Sequence, residues 1–247
     1  MWDQCKLKYK YRYVDRLPEP ADADTKALEF GKYIHKVLED GYKATTLDEL
    51  LEIAKKVKPN YTISEVYNGK DVTCFRNFLK FNANLNNTIA TEGVYEANLN
   101  EELTTNGVID RVEQGDAGGL LVIDYKTSKR EKSRIELYQD DQLKGYVHAC
   151  SQKYNVPVDK IFAGHYYPLT NNFVYVKYSK VQIAAFVKSR INKIWEIRKA
   201  KKEDLVPSRN QFCNWCSYQT VCPEYNSNKI CEERIQALRE SKKDQEQ

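Results

Sequence analysis

Leu120-Leu121-Val122-Ile123-Asp124-Tyr125-Lys126-Thr127 is the stretch on which the reading of this chain turns. Four apolar residues run into Asp-x-Lys, the pattern of a buried strand that delivers a carboxylate and an ammonium to one place. An unpaired buried charge is costly, so such an ending calls for a partner. A second apolar run, Gly107-Val108-Ile109, also closes on an aspartate, Asp110. Between the two runs lies Gly115-Asp116-Ala117-Gly118-Gly119, which reads as a hairpin turn. Asp110 precedes the turn by as many residues as Asp124 follows it, so the hairpin sets the two carboxylates side by side. Mg²⁺ binds through one or two protein carboxylates and keeps its remaining positions for water and phosphate oxygens. Such an ion activates water and stabilises charge on a phosphodiester in flight. Lys126 would orient that water or neutralise the phosphate. The plainer alternative is two strand-end ion pairs, Asp124–Lys126 and Asp110–Arg111. The apolar run ahead of each aspartate weighs against it.

Val94–Leu99, Gly107–Glu113 and Leu120–Lys126 predict three successive strands, and Ile161–Pro168 with Phe173–Tyr178 predict a further pair around Asn171-Asn172. Helices are expected over 24–40, capped by Asp24 or Thr25, and over 46–58, opened by a Thr46/Glu49 capping box and stopped by Pro59. Two longer helices are expected over 134–154 and 181–202, while 70–90 reads as weakly helical, then Asn-rich and loop-like. The expectation is one mixed α/β domain over 1–231 and a charged tail over 232–247. His35 falls on the apolar stripe of the first helix, where a histidine alone reads as a core residue. His148 and His165 read as structural. Gln142 and Tyr146 share one helical face and could grip a phosphate or a base.

The 247 residues are 41% hydrophobic and 30% charged, the balance of a soluble globular protein with a real core. The net charge of +4 permits nucleic-acid binding without arguing for it. No apolar stretch reaches the length of a membrane-spanning helix, and Met1–Lys10 has no apolar signal region, so a cytoplasmic, reducing location is expected. There, the seven cysteines read as metal ligands or free thiols rather than disulfides. Cys213, Cys216 and Cys222 form C-x₂-C-x₅-C, which needs a fourth ligand, either Cys5 or Cys231. Four thiolates suit zinc or an iron–sulfur cluster, and spacing alone does not choose.

Taken in order along the chain, these features resemble the RecB-like branch of the PD-(D/E)xK nuclease superfamily that carries an iron–sulfur cluster, similar to the AddB nuclease domain and the CRISPR-adaptation nuclease. The carrying motifs are Cys5 before a basic, tyrosine-rich segment; Gly31, His35, Leu38 and Glu39; Gly107, Ile109, Asp110 and Arg111; Asp124 to Thr127; Gln142 and Tyr146; and Cys213, Cys216 and Cys222. The resemblance implies a restriction-endonuclease-like core, a central mixed sheet flanked by helices, with a cluster region joining the N- and C-terminal segments. It implies Mg²⁺ or Mn²⁺ held by His35, Asp110, Asp124 and the Tyr125 carbonyl, with Lys126 catalytic and Glu96 an accessory acid. It implies a 4Fe–4S cluster on Cys5, Cys213, Cys216 and Cys222, with zinc the alternative occupant. It also implies a DNA exonuclease acting at single-stranded ends in recombination, repair or end processing, alongside a helicase, recombinase or CRISPR-integrase partner. Gln142, Tyr146, Arg111, Lys129 and Arg130 would then touch DNA. Lys6, Lys8, Lys10 and Arg12, interleaved with Tyr9, Tyr11 and Tyr13, suit a groove that tracks a strand. The competing reading is a catalytically silent DNA-end-binding subunit. No G-x-x-x-x-G-K-[ST] loop of an ATP-driven motor is present in these residues.

Overall fold

A computed structural model describes residues 1–20 and 25–245. The hairpin forms where the sequence places it. Strands β2 (Thr104–Gln114) and β3 (Leu120–Tyr125) pair antiparallel, with Arg111 opposite Ile123 and Gln114 opposite Leu120. The turn closes with the Gly115 amide donating to the Gly119 carbonyl at 2.8 Å, and Gly118 takes the left-handed conformation (φ 73°) that glycine adopts without steric cost. Strand β1 (Thr88–Asn98) adds antiparallel to β2. Strand β4 (Ile161–Tyr167) runs parallel to β3, and β5 (Asn172–Lys177) closes the far edge antiparallel. The result is a five-stranded mixed sheet in the order β1-β2-β3-β4-β5.

A parallel pair needs a crossover, and here it is helical. The sequence suggests one helix over 134–154. The structure divides it into α5 (Arg134–Tyr138) and α6 (Asp141–Lys153). The break has a local cause. Asp140 accepts hydrogen bonds from the Gln142 and Leu143 amides, and so caps a new helix instead of continuing the old one. The Thr46/Glu49 capping box opens α3 (Leu47–Val57) as expected. Asp24, one of the two residues expected to cap α2 (Lys26–Asp40), lies outside the described residues.

Both sheet faces are covered, which is why β3 reads as a continuous apolar run instead of an alternating one. On one side Val122 and Ala163 pack with Leu143, Val147 and Cys150 of α6. On the other, Ile123, Tyr125 and Tyr166 pack with Ile34 and Val37 of α2, Leu50 of α3, and Phe75 and Phe78 of α4 (Lys70–Asn82).

The chain divides into two compact units: residues 26–192, which hold the sheet, and a terminal unit made of 1–25 and 193–247. In the terminal unit, a short helix α1 (Lys6–Tyr9) passes into one π-helical turn, Lys10–Val14. Leu7, Tyr11 and Leu17 from the first segment pack against Tyr218 and Val221 from the second. The Leu7 amide donates to the Val206 carbonyl at 3.2 Å, and the Tyr218 hydroxyl to the Leu17 carbonyl at 2.8 Å. Helix α7 (Lys180–Lys199) begins in the sheet unit, and α8 (Asn228–Gln245) covers most of the expected charged tail. Among the described residues no helix is long and apolar enough to cross a membrane.

Candidate active site

Strand register generates the site. Arg111 lies opposite Ile123, so one step further along β2 sets Asp110 level with Asp124. On the other side of β2, Thr91 faces Arg111 and Gly93 faces Ile109, which sets Glu92 level with Asp110. Asp124 in turn pairs with His165 of β4. One row across four strands therefore carries Glu92, Asp110, Asp124 and His165.

Helix α2 brings His35 to this row. Its Nδ1 lies 3.5 Å from Asp110 Oδ2, and its ring meets Tyr125 edge-on. The same Asp110 oxygen accepts the Tyr125 amide at 2.6 Å, so Tyr125 serves the site with its backbone while its ring fills the core. Ligand atoms of His35, Glu92 and Asp110 all lie within 4.8 Å of one another. A cleft of about 470 Å³ opens on His35 and Glu92, lined also by Gly31, Lys32, Tyr61 and Thr127. Gly31 packs closely on the loop after β3: a Cβ there would stand 3.2 Å from Thr127 Oγ1, a tight contact that Thr127 would have to yield to.

On the other side of Asp124, four side chains close a ring. Lys126 Nζ lies 2.7 Å from Asp124 Oδ2 and donates to Gln142 Oε1 at 2.9 Å. Gln142 Nε2 donates to the Tyr146 hydroxyl at 2.7 Å, and that hydroxyl donates to Asp124 Oδ1 at 3.4 Å. The spacing of Gln142 and Tyr146 on one helical face thus has a structural counterpart. The Asp124 side chain is 2% exposed and that of Lys126 is 30% exposed, so the ammonium is the part a substrate meets.

The titrations follow from this crowding. Burial pushes Asp124 up to about 6, with Asp110 adding to the effect and Lys126 opposing it. Burial, then the charge of Asp110, pushes Glu92 up to about 7 against the pull of His35. Burial alone would lower His35, but the hydrogen bond and charge of Asp110, with Asp124 and Glu92, outweigh it and raise the imidazole. Burial, reinforced by Lys126, lowers His165 to about 4, so this ring is neutral at pH 7. His165 Nε2 lies 3.8 Å from Asp124 and 3.7 Å from Asp140, with no hydrogen-bond partner.

Two expected site residues sit elsewhere. Glu96 is exposed on β1, between Tyr95 and Ala97, which turn inward. The carboxylate that β1 supplies is Glu92, four residues earlier, where the backbone takes a left-handed turn (φ 44°). Arg111 is 1% exposed and does not face a nucleic acid. Its guanidinium bonds Glu113 at 2.6 Å, Asn82 at 2.6 Å and Thr88 at 2.8 Å, tying α4 and β1 to β2. Lys129 and Arg130 are exposed on the loop after β3, with Arg130 paired to Glu136.

The donor set fits a hard divalent cation. Carboxylate oxygens and an imidazole converge, and Asp124 Oδ2 is buried with no aligned hydrogen-bond donor despite its contact with Lys126.

In the terminal unit, Cys5, Cys213, Cys216 and Cys222 line one cavity. Cys231 does not line it; its thiol turns to the Asn226 carbonyl at 3.9 Å. Among the described residues no three cysteine sulfurs lie mutually within 4.8 Å. Burial raises the Cys222 thiol, with Cys5 and Cys216 adding to it against the lowering pull of the Glu224 amide.

The family model of the PD-(D/E)XK nuclease superfamily matches residues 2–223. No curated protein matches the chain. A crystal structure described as that of SSO0001 shares 16% identity, covers 90% of this chain and 96% of its own, and superposes with a TM-score of 0.38. The family match takes in most of the chain, and with it the strand-borne carboxylates and Lys126: the protein belongs to the PD-(D/E)XK nuclease superfamily.

Proposed function

We propose that the protein is a metal-dependent DNA exonuclease that works at single-stranded ends during recombination, repair or end processing. The observation that carries this is the side-by-side arrangement of the His35–Glu92–Asp110 group and the Asp124–Lys126–Gln142–Tyr146 ring. Mg²⁺ or Mn²⁺, held by His35, Glu92, Asp110 and Asp124, would supply a Lewis acid and a more acidic bound water. The protein's own groups do the rest. An ammonium has three donors; one on Lys126 bonds Gln142, and the Asp124 charge, 2.7 Å away though not aligned as an acceptor, attracts a second. The third is left for the attacking water or a phosphate oxygen, where charge develops. Gln142 and Tyr146 hold Lys126 and Asp124 in register, and Asp110 is fixed by the Tyr125 amide. Lys129 and Arg130 lie on the loop just past the lysine, where a phosphate backbone would pass.

A 4Fe–4S cluster on Cys5, Cys213, Cys216 and Cys222 belongs to the same proposal. Four thiolates about 2.3 Å from a single zinc would stand about 3.8 Å apart. An iron–sulfur cluster does not ask for that closeness, and all four thiols line one cavity, which supports a single shared centre.

The direct test is Lys126→Ala. Cleavage should fall by about a hundredfold or more while DNA affinity in EDTA persists. Full activity in this variant would refute the role given to the lysine. Iron and sulfide analysis of anaerobically purified protein tests the cluster, and zinc without iron would refute it.

A further inference from the structure

Strand β5 and its neighbour β4 carry an aromatic ladder that the catalytic site does not use. By register Phe162, Gly164 and Tyr166 share one face with Lys177, Tyr175 and Phe173, their respective partners. The rings form a continuous chain. Tyr166 stacks on Phe81 at 3.9 Å, Phe81 meets Phe173 at 5.3 Å, Phe173 stacks on Tyr175 at 5.3 Å, and Tyr175 meets Phe162 edge-on at 5.9 Å. The inner end is core. The outer end is solvent: Phe162 is 40% exposed and Tyr175 is 44% exposed. Gly164 lets Tyr175 lie close against β4, since a Cβ there would stand 2.6 Å from Tyr175 Cβ and 2.4 Å from the Val174 carbonyl.

Cations flank the exposed rings. Lys177 Nζ lies 5.5 Å from the Phe162 centroid, and Arg134 lies 5.8 Å from that of Tyr175. The carboxylates at the two ends of the β4–β5 pair are already engaged. Glu131 bonds Thr170 and Asn172, and Asp159 faces Lys180 at 3.9 Å. Exposed rings bordered by positive charge are the composition of a platform on which bases stack while phosphates are neutralised. An apolar protein partner would not call for this charge. The platform is also joined to the catalytic lysine. The Lys126 amide bonds the Tyr166 carbonyl, and from there β4 covers about 13 Å to Phe162. The exposed basic residues Lys129, Arg130 and Arg134 occupy the connecting chain.

We infer that Phe162 and Tyr175, with Arg134 and Lys177, form a stacking platform that holds single-stranded DNA away from the cleavage site. The inference rests on the nuclease reading above, and its test does not depend on cleavage. Affinity is measured in EDTA for a fluorescent hexanucleotide and for a strand of roughly 20 nucleotides, longer than a single site of this kind. The variants are Phe162→Leu/Tyr175→Leu, which keeps apolar bulk but removes the π-faces, and Arg134→Ala/Lys177→Ala. The expected result is a fall of about tenfold or more in the ratio of long-strand to hexanucleotide affinity for the leucine variant, at unchanged melting temperature. The cation variant should show a shallower salt dependence. An unchanged ratio in the leucine variant would overturn the platform while leaving the nuclease standing. A change in oligomeric state, read by light scattering, in place of a change in DNA affinity would also overturn it, because the face would then serve protein contact. Wild-type protein that binds the long strand but cleaves nothing with Mg²⁺ or Mn²⁺ would count against the exonuclease reading alone.

Discussion

At the level of single residues, the site is built from charges that the fold crowds together. Glu92 and Asp124 titrate at about 7 and about 6, above ordinary carboxylates, and His35 is also raised. A raised native pKa means that the folded state holds the proton more tightly than the unfolded chain does. Stability from these groups is therefore greatest in the protonated form and declines as pH rises from about 4.5 through 7. Across that window these groups should draw the melting temperature of metal-free protein down, against the opposite trend from His165, which burial lowers to about 4, and Glu92→Gln should remove part of the decline; a wild-type slope in this variant would contradict the assignment. Metal binding needs the deprotonated carboxylates and a neutral imidazole, so Mn²⁺ affinity should climb steeply between pH 6 and pH 8, by about tenfold or more. Electron paramagnetic resonance of free Mn²⁺ measures this without reference to catalysis. Glu92→Gln should weaken Mn²⁺ binding and Glu96→Gln should not. Equal loss in both would undo the correction from Glu96 to Glu92.

At the level of elements, much of the site was legible because a hairpin obeys simple arithmetic. The symmetric placement of Asp110 and Asp124 about Gly115–Gly119 agrees with the observed register, whose last pair, Arg111 with Ile123, stands one residue short of them. Glu92 was not legible. It depends on a left-handed residue within β1 and on the register of β1 against β2, and neither leaves a mark in Thr91-Glu92-Gly93. Arg111 misleads for a related reason. A basic residue after an aspartate suggests a phosphate contact, yet strand alternation turns it inward to Glu113, Asn82 and Thr88. His165 stands beside Asp124 only through a parallel pairing that local sequence does not specify. The break at Asp140 matters functionally, since that cap starts the helix bearing Gln142 and Tyr146 while its carboxylate pairs with Lys132 at 2.6 Å. Asp140→Ala should cost about 1 kcal/mol in cap energy alone. It should also lower turnover by loosening the Lys126–Gln142 contact, whereas Asp140→Asn should retain most of the stability. Thermal melts and steady-state kinetics separate the two effects, and a silent Asp140→Ala would refute the coupling.

At the level of the whole molecule, the terminal unit brings Cys5 to one cavity with Cys213, Cys216 and Cys222, which lie far from it in sequence. With the proposed cluster bound there, removing Cys5 should release the first segment from it. Cys5→Ser should lower the melting temperature by several degrees and abolish visible absorbance, whereas Cys231→Ser should keep both. Loss of colour in Cys231→Ser with retention in Cys5→Ser would reverse the ligand assignment. The sheet unit carries Asp124 and its neighbours, the groups proposed to cut phosphodiesters. The most direct measurement is cleavage of end-labelled single- and double-stranded DNA with Mg²⁺ or Mn²⁺, beside an Asp124→Ala control. Metal-dependent shortening of single strands by the wild type alone is the expected result. No cleavage of any substrate by protein with its cysteine centre intact would contradict the claim and leave a DNA-end-binding subunit in its place.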